Sequence, residues 1–293
     1  MISQSMVFAL ISLLFAGLND FVFKKQTIKS SGCGRYMAVA GAVWLLVFAA
    51  LALVSGATRL SAEALKWGVA VGAFSAAANY LLIRSLRHLD ASVGATIYRL
   101  NLLSAAIIAV VFLHEKLTVL NTSGIILASM AVLLFCEQSR SGRTPGWRLA
   151  FFVVFVASLL RAIMGIGYKL ASYDLVRLRS EGYQAQDHWF LALQGFMWLV
   201  TGLTAARFEG GCESVRRDLR YGLVSGILIC GIVLFFNLAM ASGKAVAVIP
   251  VSQMSFLVTT ALSVAALKEH VSRRKSVALA TSVVAILLLS LSG

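Results

Sequence analysis

The chain has 293 residues, a mean hydropathy of +0.87, 59% hydrophobic residues and only 13% charged ones, against about 25% charged in a soluble domain. No soluble fold of this length has interior enough for so much apolar surface, so lipid must solvate part of it. The 26 Lys and Arg outnumber the 12 Asp and Glu, but they lie mostly in short loops beside apolar runs. There they act as topological signals and contacts for anionic lipid, and no basic-aromatic patch stands clear to bind nucleic acid.

A helix needs about 20 apolar residues to cross the hydrocarbon core. On that measure the sequence predicts ten spans, at 5–23, 35–54, 66–86, 91–113, 118–136, 147–169, 188–206, 220–241, 245–267 and 273–291. The first ends in Lys24-Lys25 and lacks a basic leader, so it reads as a retained span and not a cleaved signal peptide. The longest connections, 24–34, 137–146, 170–187 and 207–219, leave no room for a soluble domain. In hydrocarbon the backbone must satisfy its own hydrogen bonds, so these spans are helices. Cys33, Cys136, Cys212 and Cys230 are scattered, with no CxxC pair, and read as small buried hydrophobes.

The chain repeats itself. At one constant offset Gly41 falls on Gly195, Trp44 on Trp198, Gly68 on Gly222, Gly72 on Gly226, Ala91 on Ala245 and Glu115 on Glu269. The first span needs a slightly different offset, which pairs Lys25 with Lys169. Two five-span halves follow, residues 1–140 and 141–293. An odd number of spans per half turns the second half upside down relative to the first. The expected fold is therefore an all-α integral membrane protein of ten transmembrane helices in two inverted five-helix repeats, the architecture typical of secondary transporters, with a site between the halves. The Gly68/Gly72 and Gly222/Gly226 pairs read as close helix packing.

In each half the fourth span ends in an apolar run followed by a Glu, Val-Phe-Leu-His114-Glu115-Lys116 and Ala-Ala-Leu-Lys268-Glu269-His270, and one further span follows; Pro250 lies early in span nine. With these features the chain resembles the drug/metabolite transporter superfamily, in particular its EamA-type ten-helix permeases. That resemblance implies a secondary transporter of the bacterial inner membrane, exporting amino acids or other metabolites, with relatives that carry nucleotide sugars or cations. Thr96 stands where the repeat would place a counterpart of Pro250, so the halves differ there.

All but two of the Lys and Arg fall in loops or at span ends; the exceptions are Arg99 in span four and Arg161 in span six. Asp20 is the acid most clearly inside a span. Charges in the bilayer core cost about 2.5–3.5 kcal/mol on insertion scales, so such residues usually face the protein interior and serve function. At 1.5 Å per residue Asp20 and Arg99 reach similar depths, which allows an ion pair. Ser92, Thr96 and Arg99 share a helix face, with Tyr98 and Asn101 on an adjacent one. Ser158, Arg161, Gly165 and Tyr168 line a face of span six. Gln253 matches Arg99 in the repeat, beside the stripe Ser252, Ser255 and Thr259. Asn19 precedes Asp20, and Asn79 and Asn237 lie in spans three and eight. The candidate substrate-binding residues are thus Arg99, Arg161, Asp20, Tyr98, Asn101, Tyr168, Gln253, Asn19 and Asn79. Gln253 and the asparagines read equally as interhelical hydrogen bonds. Glu115 and Glu269, at span ends, read as structural.

There is no nucleophile elbow, nucleotide-binding glycine loop or zinc-binding helix signature, and no His or Cys at metal spacing, so no cofactor, metal or catalytic residue is expected. Two intramembrane arginines favour an anionic or zwitterionic cargo, such as an amino acid, over a lipophilic cation. Proton coupling through Asp20 and simple uniport both fit, as do monomer and homodimer. Arg99→Ala should abolish transport without loss of folded protein. The alternatives are a flippase or carrier for lipid-linked or nucleotide sugars and, from another class, a non-transporting membrane enzyme or scaffold. Both termini share one side. The charge count places it outside the cytoplasm, and the family resemblance places it inside.

Overall fold

The computed structural model describes residues 3–27, 33–85, 96–135, 147–183, 185–208, 215–267 and 272–292. Its helices are α1 (Gln4–Thr27), α2 (Cys33–Val54), α3 (Ala62–Ser85), α4 (Asn101–Leu113), α5 (Val119–Phe135), α6 (Trp147–Ser180), α7 (Gln186–Phe208), α8 (Val215–Ser242), α9 (Ala245–Ser252), α10 (Phe256–Leu267) and α11 (Arg273–Ser292), with a 3-10 turn at Gln253–Ser255 between α9 and α10. Among the described residues there is no strand.

Eight stretches are long and apolar enough to cross a membrane, including Thr96–Leu113 and Ala245–Ala266, which runs through α9, the 3-10 turn and α10. The shorter α5 and the more polar α3 pack in the same bundle. Large apolar side chains such as Leu46, Phe112, Phe152 and Leu287 are exposed, which in water would be an aggregating surface and in lipid is a solvated one. The chain is a multi-pass membrane protein.

Close approach of small residues sets the centre of the bundle, as expected where lipid supplies no hydrophobic drive between helices. A Cβ on Gly41 would lie 2.4 Å from the Leu199 nitrogen, and one on Gly195 would lie 2.5 Å from the Leu45 nitrogen. No side chain fits at either place, so α2 and α7 touch backbone to backbone. The Trp44 and Trp198 rings meet at this crossing, 5.8 Å apart. Gly72 of α3 packs on Gln194 and Met197 of α7, and Gly226 of α8 packs on Ala40 and Val43 of α2. Positions 154 residues apart thus make like contacts. The outer helices pair too: α3 with α6, α1 with α8, α4 with α9 and α5 with α11.

Helices occupy the stretches predicted as spans, eight of them long and apolar enough to cross a membrane, and two run differently from the expectation. Span six does not end near residue 169: α6 continues to Ser180. Ala171, Leu175 and Leu178 are buried along one face of the extension, and Trp67 Nε1 donates to Asp174 Oδ2 at 2.8 Å. The polar letters of 170–180 suggest a loop, but their apolar residues keep a helical period. Lys169, placed by the sequence at a span end, is consequently inside the helix and buried. Span nine is broken. Pro250 lacks an N–H for the helix ladder, and four residues later Met254 leaves helical geometry (φ −85, ψ 21).

Candidate functional site

The break in span nine faces α1 and the segment before α4. Arg99 Nη2 donates to Asp20 Oδ2 at 2.7 Å, and Nη1 donates to the Gln253 carbonyl at 2.9 Å and to Ser255 Oγ at 3.1 Å. Ser255 Oγ donates to the same Asp20 oxygen at 2.7 Å. The guanidinium also lies 5.2 Å from the Phe256 ring centroid. Arg99 is 17% and Asp20 36% exposed, so the pair is half-buried. Nearby, the Thr259 hydroxyl donates to the Gly17 carbonyl at 3.1 Å, tying α10 to α1. Arg99 and Gln253 are 154 residues apart, the offset that also relates Trp44 to Trp198. The guanidinium therefore reaches the backbone of its own repeat counterpart.

Gln253 acts through its main chain. A carbonyl at a helix break is a stronger handle for a cation than a side-chain amide, because the helix no longer uses it fully. Asn19 Oδ1 accepts from the Ser225 hydroxyl, which also bonds the Tyr36 hydroxyl. Asn79 Nδ2 donates to the Ser75 carbonyl of its own helix at 2.9 Å. Tyr168 is buried and donates to Gln194 Oε1 at 2.6 Å, with Phe190 and Phe236 edge-on to its ring. Asn19, Asn79 and Tyr168 are thus internal hydrogen-bonding residues of the bundle.

The second arginine is different. Arg161 has no carboxylate at ion-pair distance among the described residues; its Nη1 reaches Met164 Sδ at 3.5 Å, its buried Nε has no hydrogen-bond partner, and its guanidinium lies within reach of the Tyr98 phenol. Its charge acts on the phenols of both Tyr98 and Tyr168. The Tyr98 hydroxyl also feels Asp20; it is buried and lies within reach of the Arg161 guanidinium. Ala78, Ile97, Val154 and Ala157 pack with Tyr98 in an apolar cluster, one turn of α6 away from Arg161. Asn101 is 0% exposed with neither side-chain polar atom hydrogen-bonded. Unsatisfied buried polar groups are rare and expensive, and Asn101 supplies one at the start of α4, while the Arg161 guanidinium on α6 is part-buried. Ser92, Lys268, Glu269 and His270 lie outside the described residues.

Glu115 holds a structural position of specific form. Its two carboxylate oxygens accept from the Ala245 and Val246 amides, each at 2.8 Å. They satisfy two of the free N–H groups at the start of α9 and complement its dipole. Lys169 Nζ donates to the Met240 and Gly243 carbonyls at 2.9 and 2.7 Å, the matching cap at the end of α8. Sequence reasoning missed this use of Lys169, and also missed Gln194, Tyr36 and Ser225. The only signal for the last three was a polar residue inside an apolar run. No metal-binding cluster of His, Cys, Asp and Glu occurs among the described residues.

A bundle of membrane-spanning helices with charged and unsatisfied polar groups on its inner faces defines a multi-pass membrane protein with a polar interior. Residues 3–137 match the model of the EamA-like transporter family. That segment is EamA-like, and the family, whose members are transporters, belongs to the drug/metabolite transporter superfamily. No curated protein matches the chain. A solved structure described as "Crystal structure of protein" is similar over 100% of this chain and 98% of its own, with a TM-score of 0.78 and 14% sequence identity. At that identity the likeness is one of fold.

Proposed function

We propose that the chain is a secondary transporter of the bacterial inner membrane, exporting a small anionic or zwitterionic metabolite such as an amino acid by alternating access. Its ten spans form two inverted five-helix repeats, residues 1–140 and 141–293, working as a monomer or homodimer. It is a carrier and not a catalyst. The reciprocal contacts of Gly41 with Leu199 and Gly195 with Leu45, and the Trp44–Trp198 pair, support the repeat. Two similar halves in opposite orientations exchange conformations and present a central site first to one side and then to the other.

One observation carries the choice of cargo: Arg161, a cation inside the bundle that has no carboxylate at ion-pair distance among the described residues and lies against a thioether and the Tyr98 phenol. A ligand carboxylate supplies the partner that the described protein lacks, with the Tyr98 hydroxyl and the Asn101 amide as further contacts. Arg99, by contrast, already has its counter-ion, so the Arg99–Asp20 pair anchors the broken span nine and does not hold the cargo.

The test is thermal stabilisation of the purified protein by a panel of amino acids, organic acids, sugar phosphates, nucleotide sugars and lipophilic cations. A ligand that binds only the folded state raises its apparent stability, by about 2.7 kcal/mol at a hundredfold excess over Kd. Stabilisation by carboxylates is the expected result. A response confined to cations would reject the proposed cargo, and one confined to nucleotide sugars or lipid headgroups would transfer the reading to a sugar carrier.

A further inference from the structure

The short helix α9 is a buried rod. Residues Ala245 to Val251 are all buried, most of them at 0% exposure. It belongs to the second half of the chain, yet charged side chains from the first half hold it at both ends. At its start both Glu115 oxygens take the Ala245 and Val246 amides. Just past its end Arg99 takes the Gln253 carbonyl, and Asp20 takes the Ser255 hydroxyl. Breaks bound the rod on either side: Gly243 and Lys244 separate it from α8, and the non-helical Met254 separates it from α10. A segment with a hinge at each end moves as a unit when one of its attachments lets go.

We propose that Glu115 is a latch on α9. Releasing it from the Ala245 and Val246 amides opens the face of the membrane where α8 passes into α9, while the Arg99 attachment stays as the pivot. Lys169 is the fixed counterpart. It binds the Met240 and Gly243 carbonyls from within the second half, so it keeps the end of α8 capped when α9 departs. Glu115 is a positioning residue: it needs no contact with the cargo. The inference rests on the transporter reading and specifies which element of that transporter moves. A static scaffold would also cap the helix, but a rod of the second half that is held at both ends by side chains of the first, and hinged at each end, is the arrangement of a gate.

Hydrogen exchange in lipid nanodiscs, comparing wild type with Glu115→Ala and Glu115→Gln, tests it without any ligand. Charge-assisted hydrogen bonds to two amides are lost in the alanine variant, so exchange over residues 240–251 should rise about tenfold or more. Glu115→Gln, which keeps one acceptor, should fall between the two and stands in if the alanine variant does not fold. Alternating access adds a second signature: exchange at the opposite face, over 215–222 and 78–85, should slow. That reciprocal change is the supporting result. Faster exchange at α9 with the opposite face unaltered would make Glu115 a helix cap only. Uniformly faster exchange would make it a global stabiliser, and unaltered exchange would mean that it does not hold α9; each of these overturns the latch. Failure of the transporter reading shows separately, as a wild-type protein that no ligand class stabilises.

Discussion

Arg99 and Arg161 look alike in the sequence, since each is a lone arginine inside an apolar span, but the fold treats them oppositely. Around Arg99 the break in span nine, the end of α1 and a serine converge, and the guanidinium binds a carboxylate, a carbonyl and a hydroxyl. Around Arg161 the neighbours are aromatic and apolar, and its charge meets a thioether and two phenols. The lesson is that an intramembrane charge alone does not reveal a ligand site. A charge whose counter-ion is already present is accounted for within the fold, and one without a counter-ion among the described residues is the position that we propose for the ligand.

The largest effect should come from exchanging the roles. Arg161→Met should remove stabilisation by carboxylate ligands, weakening their binding by about 2–5 kcal/mol, while the ligand-free protein stays as stable as wild type or gains, because a part-buried charge without a counter-ion among the described residues has gone. Arg99→Met should lower the melting temperature of the ligand-free protein, since it strands Asp20. That departs from the expectation, drawn from sequence, that Arg99 could be removed without cost to the fold. Thermal melts of both variants with and without ligand check the pair, and equal behaviour would erase the distinction.

Next in size is a steric probe of the two regions. A Cβ on Gly17 would lie 2.4 Å from the Val258 Cβ and 2.8 Å from the Ser255 carbonyl, so Gly17→Ala should push α1 off the broken helix at the upper end of the ~1–3 kcal/mol typical of overpacking. Near Arg161 the same change at Gly165 meets only the end of the Ile249 side chain, at 3.0 Å, which can swing away. Chemical unfolding of the two alanine variants should separate them clearly.

Asp20→Asn should destabilise by about 1–2 kcal/mol, less than the ~3–5 of a fully buried pair because Asp20 is 36% exposed. The Asp20→Asn, Arg99→Met double variant should recover part of that loss in a double-mutant cycle. Smallest of all, Gln253→Ala should shift stability by no more than about 0.5 kcal/mol, because Arg99 uses the carbonyl that the substitution leaves in place. A larger loss on unfolding would show that the side chain is the true partner.

Much of this was legible in the residues. Apolar runs of about 20 residues are all that a membrane helix needs, so the spans could be read from composition, and the Gly68/Gly72 and Gly222/Gly226 pairs marked close packing that the fold then makes; Gly41, Gly195, Trp44 and Trp198 were legible as a repeat but not as contacts. Depth counted along two helices allowed the Asp20–Arg99 pair that the fold makes. The extension of α6 was not legible from polarity, because Asp174, Arg177 and Arg179 mask the helical period of Ala171, Leu175 and Leu178.

By itself, then, the sequence determined a bundle of membrane helices, its close-packing points and the two arginines in its interior, since each depends on properties local to a helix: hydropathy, residue size and axial position. Tertiary structure alone decided which arginine is neutralised, that Gln253 serves through its carbonyl, that Lys169 caps α8 and that Glu115 reaches the amides of α9. Those outcomes depend on which faces of distant helices meet and on where a helix breaks, and a one-dimensional pattern carries neither angle nor proximity.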